Sequence, residues 1–121
     1  MILRTAVVLI ALLVSPAARA EYMTYQKWSG MPEIYRTAYI AGVHDSGLHG
    51  YDSDMTFILN EQPGKYSEHY YKCTQTSGMT DRQLAENVLN FAKSKPEYHT
   101  GSVLSALVAY LIAACGNPPK K

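Results

Sequence analysis

The segment Val43–Asp54, VHDSGLHGYDSD, gathers side chains that could do chemistry, with two histidines and three aspartates among twelve residues. Histidine and carboxylate groups are common zinc ligands, and helices that bind zinc place two histidines four residues apart. Here His44 and His49 are five apart, and Gly47 lies between them. The spacing therefore argues against a zinc site on one helical face.

A calcium loop is the second metal site to consider, because the Asp52-x-Asp54 pair resembles the start of one. The sixth and twelfth loop positions need glycine and glutamate, but they fall on Phe57 and Pro63. The sequence therefore predicts no metal and no other cofactor. We interpret the segment as a helix end near His44, a glycine-containing loop to Asp54, and a new N-cap at Asp52–Asp54.

Nucleophilic catalysis has no clear residues to perform it. None of the serines lies in a G-x-S-x-G context, and no glycine-rich phosphate loop is present. His69 and His99 have no serine or acidic partner at a telling spacing. Residues that are distant in the sequence can form a catalytic group once the chain folds. The sequence itself predicts no catalytic residues and no enzyme.

The first twenty residues have the pattern of a secretory signal peptide. Arg4 precedes the apolar run Ala6–Val14, and Ala18–Ala20 is a small-x-small cleavage site. An uncleaved anchor is the alternative, but nine apolar residues are less than half of the roughly 20 that a membrane helix needs. We expect cleavage after Ala20, and residues 21–121 as one small domain in the periplasm.

The charge of the mature chain excludes two classes of partner. Once Arg4 and Arg19 leave with the signal, nine basic side chains face ten acidic ones, a formal net charge of −1. A nearly neutral surface does not steer nucleic acid or anionic lipid. We therefore expect no nucleic-acid partner, and no membrane contact after cleavage.

The clearest helix is predicted from Thr80 to about Ser94. Thr80 and Gln83 form a capping box, apolar residues follow at helical spacing, and Pro96 ends the pattern.

A second helix is predicted from Glu97 or Ser102 to Cys115, with a stop at Gly116-Asn117-Pro118. It is apolar nearly all round, so we expect it to be the central, most buried helix.

These two helices are joined by a short turn and must pack antiparallel, which brings Cys73 near Cys115. An even number of cysteines in an exported protein also indicates a disulfide. In the chain-entropy account, closing the loop between these cysteines would raise the free energy of unfolding by roughly 4 kcal/mol. We predict a Cys73–Cys115 disulfide.

Upstream, the sequence predicts a helix from Pro32 to about His44, with Trp28 before it as an apolar anchor. A short helix from Met55 to about Glu61 and a helical turn at Tyr66–Tyr71 follow. No stretch alternates with period two, so no sheet is expected. The prediction is an all-α fold: a small single-domain helical bundle of about four to five helices, with one disulfide.

The C-terminal half resembles the Rap/Tai family of immunity proteins against type VI secretion amidases. The shared residues occur in order: Cys73, Gly78-Met79-Thr80, Gln83-Leu84, Val88, Phe91, Lys95-Pro96-Glu97, His99, Leu104, Leu107-Val108 and Cys115. Trp28 with Ala38–Asp45 also resembles an N-terminal signature of related small exported proteins. The chain departs from the pattern at Lys95, where the family has His, at Ala114, where it has Pro, and in a longer Thr74–Ser77 spacing.

This resemblance implies a periplasmic immunity-type domain that binds a peptidoglycan amidase effector and blocks its active site. Family members often form homodimers, so a homodimer is also an expectation. The alternative is a general periplasmic helical stress or chaperone-like protein without a toxin partner, for which four histidines suggest a pH response.

Recognition is expected at the predicted loop and in the region Gln62–Tyr71, because tyrosine is a frequent interface anchor. The candidate partner-binding residues are His44, Asp45, His49, Tyr51, Asp52, Tyr66, Tyr70 and Tyr71.

Overall fold

The computed structural model describes residues 23–120, which fold into an all-α domain, as predicted. The expected signal peptide and its cleavage site lie outside the described residues. The helices are α1 (Tyr25–Ser29), α2 (Glu33–Gly42), α3 (Leu48–Leu59), α4 (Lys65–Thr76), α5 (Asp81–Lys93) and α6 (Val103–Cys115). A π-turn, Val43–Gly47, joins α2 to α3, and a 3₁₀ turn, Pro96–Tyr98, follows α5.

Helix α5 begins where the capping box predicts. The amide of Gln83 donates to the Thr80 hydroxyl at 3.2 Å, and the amide of Thr80 donates to the Gln83 side chain at 2.9 Å. Its buried face carries Leu84, Val88 and Ala92. These residues pack α5 against α2 and α6.

Helix α6 is the central helix, as predicted from its apolar sequence. Ser102 caps it by accepting the amide of Ser105 at 3.1 Å. The helix contacts α1, α4, α5 and the π-turn. Its last turn reaches the surface, where Ile112 is 36% exposed. The buried residues are Val103, Ala106, Leu107, Val108 and Leu111.

The predicted disulfide is present. Cys73 in α4 is bonded to Cys115 at the end of α6, with 6.0 Å between their Cα atoms. Trp28 is also confirmed as a buried anchor, and its indole N–H donates to the carbonyl of Arg36 at 3.1 Å. The bridge thus joins the end of α6 to α4, and the indole joins α1 to α2.

The middle of the chain differs from the sequence prediction. The region predicted to contain only a helical turn at Tyr66–Tyr71 is the twelve-residue helix α4. The region predicted as a loop followed by a short helix is a π-turn and the whole of α3. Within residues 23–120, no strand forms beyond the isolated bridge between Thr24 and Ser102, and no helix is long and apolar enough to cross a bilayer.

Candidate functional site

The segment that drew attention in the sequence is helical, so the prediction of a loop from His44 to Asp54 is wrong. Gly47 in the π-turn lies directly against α6. A Cβ atom at this position would come within 2.9 Å of a Leu104 methyl group. The Tyr71 hydroxyl contacts the carbonyl oxygens of His44 and Asp45, at 2.8 and 2.5 Å. Close packing and these contacts hold a glycine-containing stretch in a helix that its sequence disfavours.

His44 lies inside the bundle rather than on a binding surface. Its Nε2 lies 3.4 Å from the hydroxyl oxygen of Thr74, and its ring meets the Tyr71 ring edge-on at 4.9 Å. Burial lowers the pKa of His44, although the carboxylates of Asp45 and Asp81 oppose that shift. The ring therefore joins the π-turn to α4 as a buried packing group.

Asp52 caps a helix, but not the one expected from the sequence. Its carboxylate accepts the amides of Gly64, Tyr66 and Ser67, at 2.6, 2.7 and 3.3 Å. These amides belong to the start of α4, twelve to fifteen residues further along the chain. The prediction that Asp52–Asp54 begins a helix at Met55 is wrong, because α3 already starts at Leu48 and Asp52 lies within it.

The tyrosines divide into buried and partly exposed groups. Tyr70 is fully buried and Tyr66 is 8% exposed, and burial is the main cause that raises the pKa of each to about 12. Tyr51 is half-buried and meets the Tyr66 ring edge-on at 5.7 Å. Tyr71 is half-buried, with its hydroxyl turned to the π-turn. Tyr66 and Tyr70 therefore belong to the core.

Burial thus reduces the set of predicted partner-binding residues. His44, Asp52, Tyr66 and Tyr70 are buried in the folded domain and offer no surface to a partner. Asp45 and His49 are exposed, one helical turn apart, and the His49 ring lies 5.6 Å from the Tyr71 ring. The structure therefore brings all the candidates to the α3–α4 side of the domain but leaves only some of them accessible.

The apolar side chains that the fold leaves in solvent are not among the residues predicted to bind a partner. Phe57, Ile58 and Leu59 end α3 and are 90%, 70% and 48% exposed. On α2, Ile34 and Tyr35 are 76% and 60% exposed. A usable signal was present for the first group, since three apolar residues directly precede the turn-forming sequence NEQPG.

An open groove of about 560 Å³ adjoins the turn between α3 and α4. Its walls are the turn itself, the outer face of α4 and the C-terminal tail, and they include Asn60, Pro63, His69, Lys72 and Pro118. The carbonyl of Gly116 lies 3.0 Å from Nε2 of His69, which joins the tail to α4. The groove thus adjoins the end of α3 that carries Phe57, Ile58 and Leu59.

Among residues 23–120, no group of three or more histidine, cysteine, aspartate or glutamate side chains is placed to hold a metal ion. Both cysteines are in the disulfide, so neither offers a thiolate. The arrangement provides a rigid helical surface with exposed apolar side chains, which is suited to binding. No family model matches the chain, and neither a curated protein nor a solved structure matches it significantly.

Proposed function

We propose that this chain is a periplasmic immunity-type protein that binds a peptidoglycan amidase effector of type VI secretion and inhibits it. The starting point is the segment from Cys73 to Cys115, in which residues of the Rap/Tai pattern occur in order. Secretion by this system delivers toxic amidases to the compartment where their peptidoglycan substrate lies. A cell exposed to such an enzyme needs an inhibitor in that same compartment, which agrees with the expected signal peptide.

The observation that carries the proposal is that the resembling residues build the scaffold. Cys73 and Cys115 form the disulfide, and Thr80 caps α5. Nε2 of His99 lies 2.9 Å from the carbonyl oxygen of Ala92 and covers the C-terminal end of α5. A pattern made of caps, core and a disulfide is what a binding protein with a variable contact surface needs.

The roles of the polar side chains also favour binding over catalysis. Asp52 is occupied by three backbone amides, and the Tyr71 hydroxyl lies against two carbonyl oxygens of the π-turn. Such groups stabilise the fold and are not placed to act on a substrate. A protein that inhibits by occupying a partner's surface does not require catalytic groups.

The test is capture of amidase effectors encoded by the same organism, followed by a peptidoglycan-hydrolysis assay. The exported, oxidised chain is immobilised and each purified amidase is passed over it. We expect one amidase to bind in a stoichiometric ratio and to lose its hydrolytic activity in the complex. An unrelated peptidoglycan hydrolase serves as the control and should be neither captured nor inhibited.

The alternative, a general stress or chaperone-like protein, is favoured by one observation. Burial lowers the pKa of His44, so acidification could alter the packing between the π-turn and α4. Such a protein should bind several unfolded proteins weakly, and more strongly near pH 5 than at pH 7. Prevention of aggregation of two unrelated denatured proteins, stronger near pH 5 than at pH 7, would favour this alternative over immunity.

A further inference from the structure

The structure points to one end of the domain as its docking surface. We propose that Phe57, Ile58 and Leu59, at the apex of the α3–α4 hairpin, insert into an apolar cleft of the partner protein. The identity of that partner as an amidase rests on the function proposed above. The location of the surface rests on the exposure, rigidity and charge of the apex.

Exposure is the first argument. Phe57 and Ile58 are 90% and 70% exposed, so burial of these side chains adds little to the stability of the domain. With Leu59, they present apolar surface on the order of 400 Å², a patch size that is often functional on a monomer. A standard interface takes roughly 800 Å² from each partner, so the apex could supply about half of one. The adjoining groove offers a more polar surface for the rim.

Rigidity is the second argument. The amide of Glu61 donates to the Thr56 carbonyl at 3.3 Å, and Asp52 ties the start of α4 back to α3. Lys65 pairs with Glu61 at 3.0 Å across the turn. An apex held in this way loses little conformational entropy on binding, which favours affinity.

Charge is the third argument, and it selects the kind of partner. The three apex residues carry no charge, and the Glu61–Lys65 pair beside them is neutral as a unit. A neutral, apolar and convex surface complements a concave apolar cleft in a protein. It does not complement an anionic lipid surface or a nucleic acid, which would need a cluster of basic side chains.

Two isoleucines make a matched test. Ile58→Asp places a charge at the apex, whereas Ile34→Asp places the same charge on α2, at a residue of similar exposure. Affinity for the captured amidase is measured for the exported chain and both variants by calorimetry. We expect Ile58→Asp to weaken binding at least about 30-fold, the loss typical of a central interface residue, and Ile34→Asp to leave it unchanged. Both variants should melt like the unsubstituted chain, because both side chains are exposed.

Three outcomes would overturn the proposal. If Ile58→Asp binds the amidase as tightly as the unsubstituted chain, the apex is not the docking surface, although the immunity function stands. If the unsubstituted chain binds no amidase, the proposed function is wrong, and an amidase is not the partner of the apex. If Ile58→Asp converts a dimer to a monomer in sedimentation but spares amidase binding, the apex belongs to contact with a second copy of the chain.

Discussion

At the scale of single residues, Asp52 caps α4, because its carboxylate accepts three backbone amides at the start of that helix. We predict that Asp52→Ala lowers the free energy of unfolding by about 3 kcal/mol, because the buried amides at the start of α4 lose their acceptor. Urea denaturation of the oxidised chain measures the change. Asp54→Asn is the matched control, since Asp54 is exposed two residues away and should change stability by less than about 0.5 kcal/mol.

The sequence alone places Asp52 in a surface loop. In that position, replacing Asp52 together with Tyr51 would weaken partner binding without lowering the melting temperature. The structure makes that experiment ambiguous, because the replacement also removes the cap of α4. Equal stability of Asp52→Ala and Asp54→Asn would show that the cap contributes little.

His44 gives the domain an expected pH dependence. Burial lowers its pKa in the folded chain, so the unfolded chain binds more protons between the two pKa values. The free energy of unfolding should therefore fall as the pH drops below about 6.5, the ordinary histidine value, and level off below the lowered pKa. Denaturation of the unsubstituted chain and His44→Gln at several pH values between 5 and 8 measures this contribution.

The matched control for this histidine is His49→Gln. His49 is exposed two residues beyond the π-turn, so its replacement should leave the pH dependence of stability in place. His44→Gln should flatten it. If the two variants lose stability with falling pH to the same extent as the unsubstituted chain, the buried ring is not the source of the effect.

At the scale of elements, the π-turn depends on Gly47, whereas the end of α2 tolerates a side chain at Gly42. We predict that Gly47→Ala lowers the free energy of unfolding by about 1–3 kcal/mol, because its Cβ would lie 2.9 Å from Leu104 and 3.1 Å from Val43. Gly42→Ala should instead raise it by about 0.5–1 kcal/mol, since Gly42 is helical and a Cβ there meets nothing within 4 Å. Thermal denaturation of both variants tests the pair. Stabilisation by both substitutions would contradict the close packing of the turn on α6.

The same elements show which parts of the fold could be predicted from the sequence. Helices α5 and α6 were predictable because their caps, Thr80 and Ser102, and their apolar periodicity are local signals. The π-turn and the start of α4 were not, because they depend on Tyr71 and Asp52, which act across 12 to 27 residues of sequence. Glycine and aspartate ordinarily indicate turns, and here tertiary contacts override that preference. The predicted partner-binding residues therefore lie from the π-turn to α4, but His44, Asp52, Tyr66 and Tyr70 are buried there.

At the scale of the whole molecule, the architecture separates a stable centre from an exposed end. Helix α6 contacts four other elements, whereas the apex of the α3–α4 hairpin lies beyond the core. The hairpin is joined to α6 through α4, and the disulfide is the covalent part of that connection. A docking surface at the apex therefore depends on the bridge for its orientation on the domain.

We predict that reduction of the Cys73–Cys115 bond strongly destabilises the domain. The bond spans a sequence separation of 42, for which the chain-entropy account gives about 4 kcal/mol. Small domains are stable by only about 5–15 kcal/mol, so this is a large share of the total. The melting temperature measured by circular dichroism should fall markedly when reductant is added. The double variant Cys73→Ser, Cys115→Ser should melt at the lower temperature with or without reductant. If the reduced chain instead melts at the same temperature as the oxidised chain, the stability comes from the core around α6 alone.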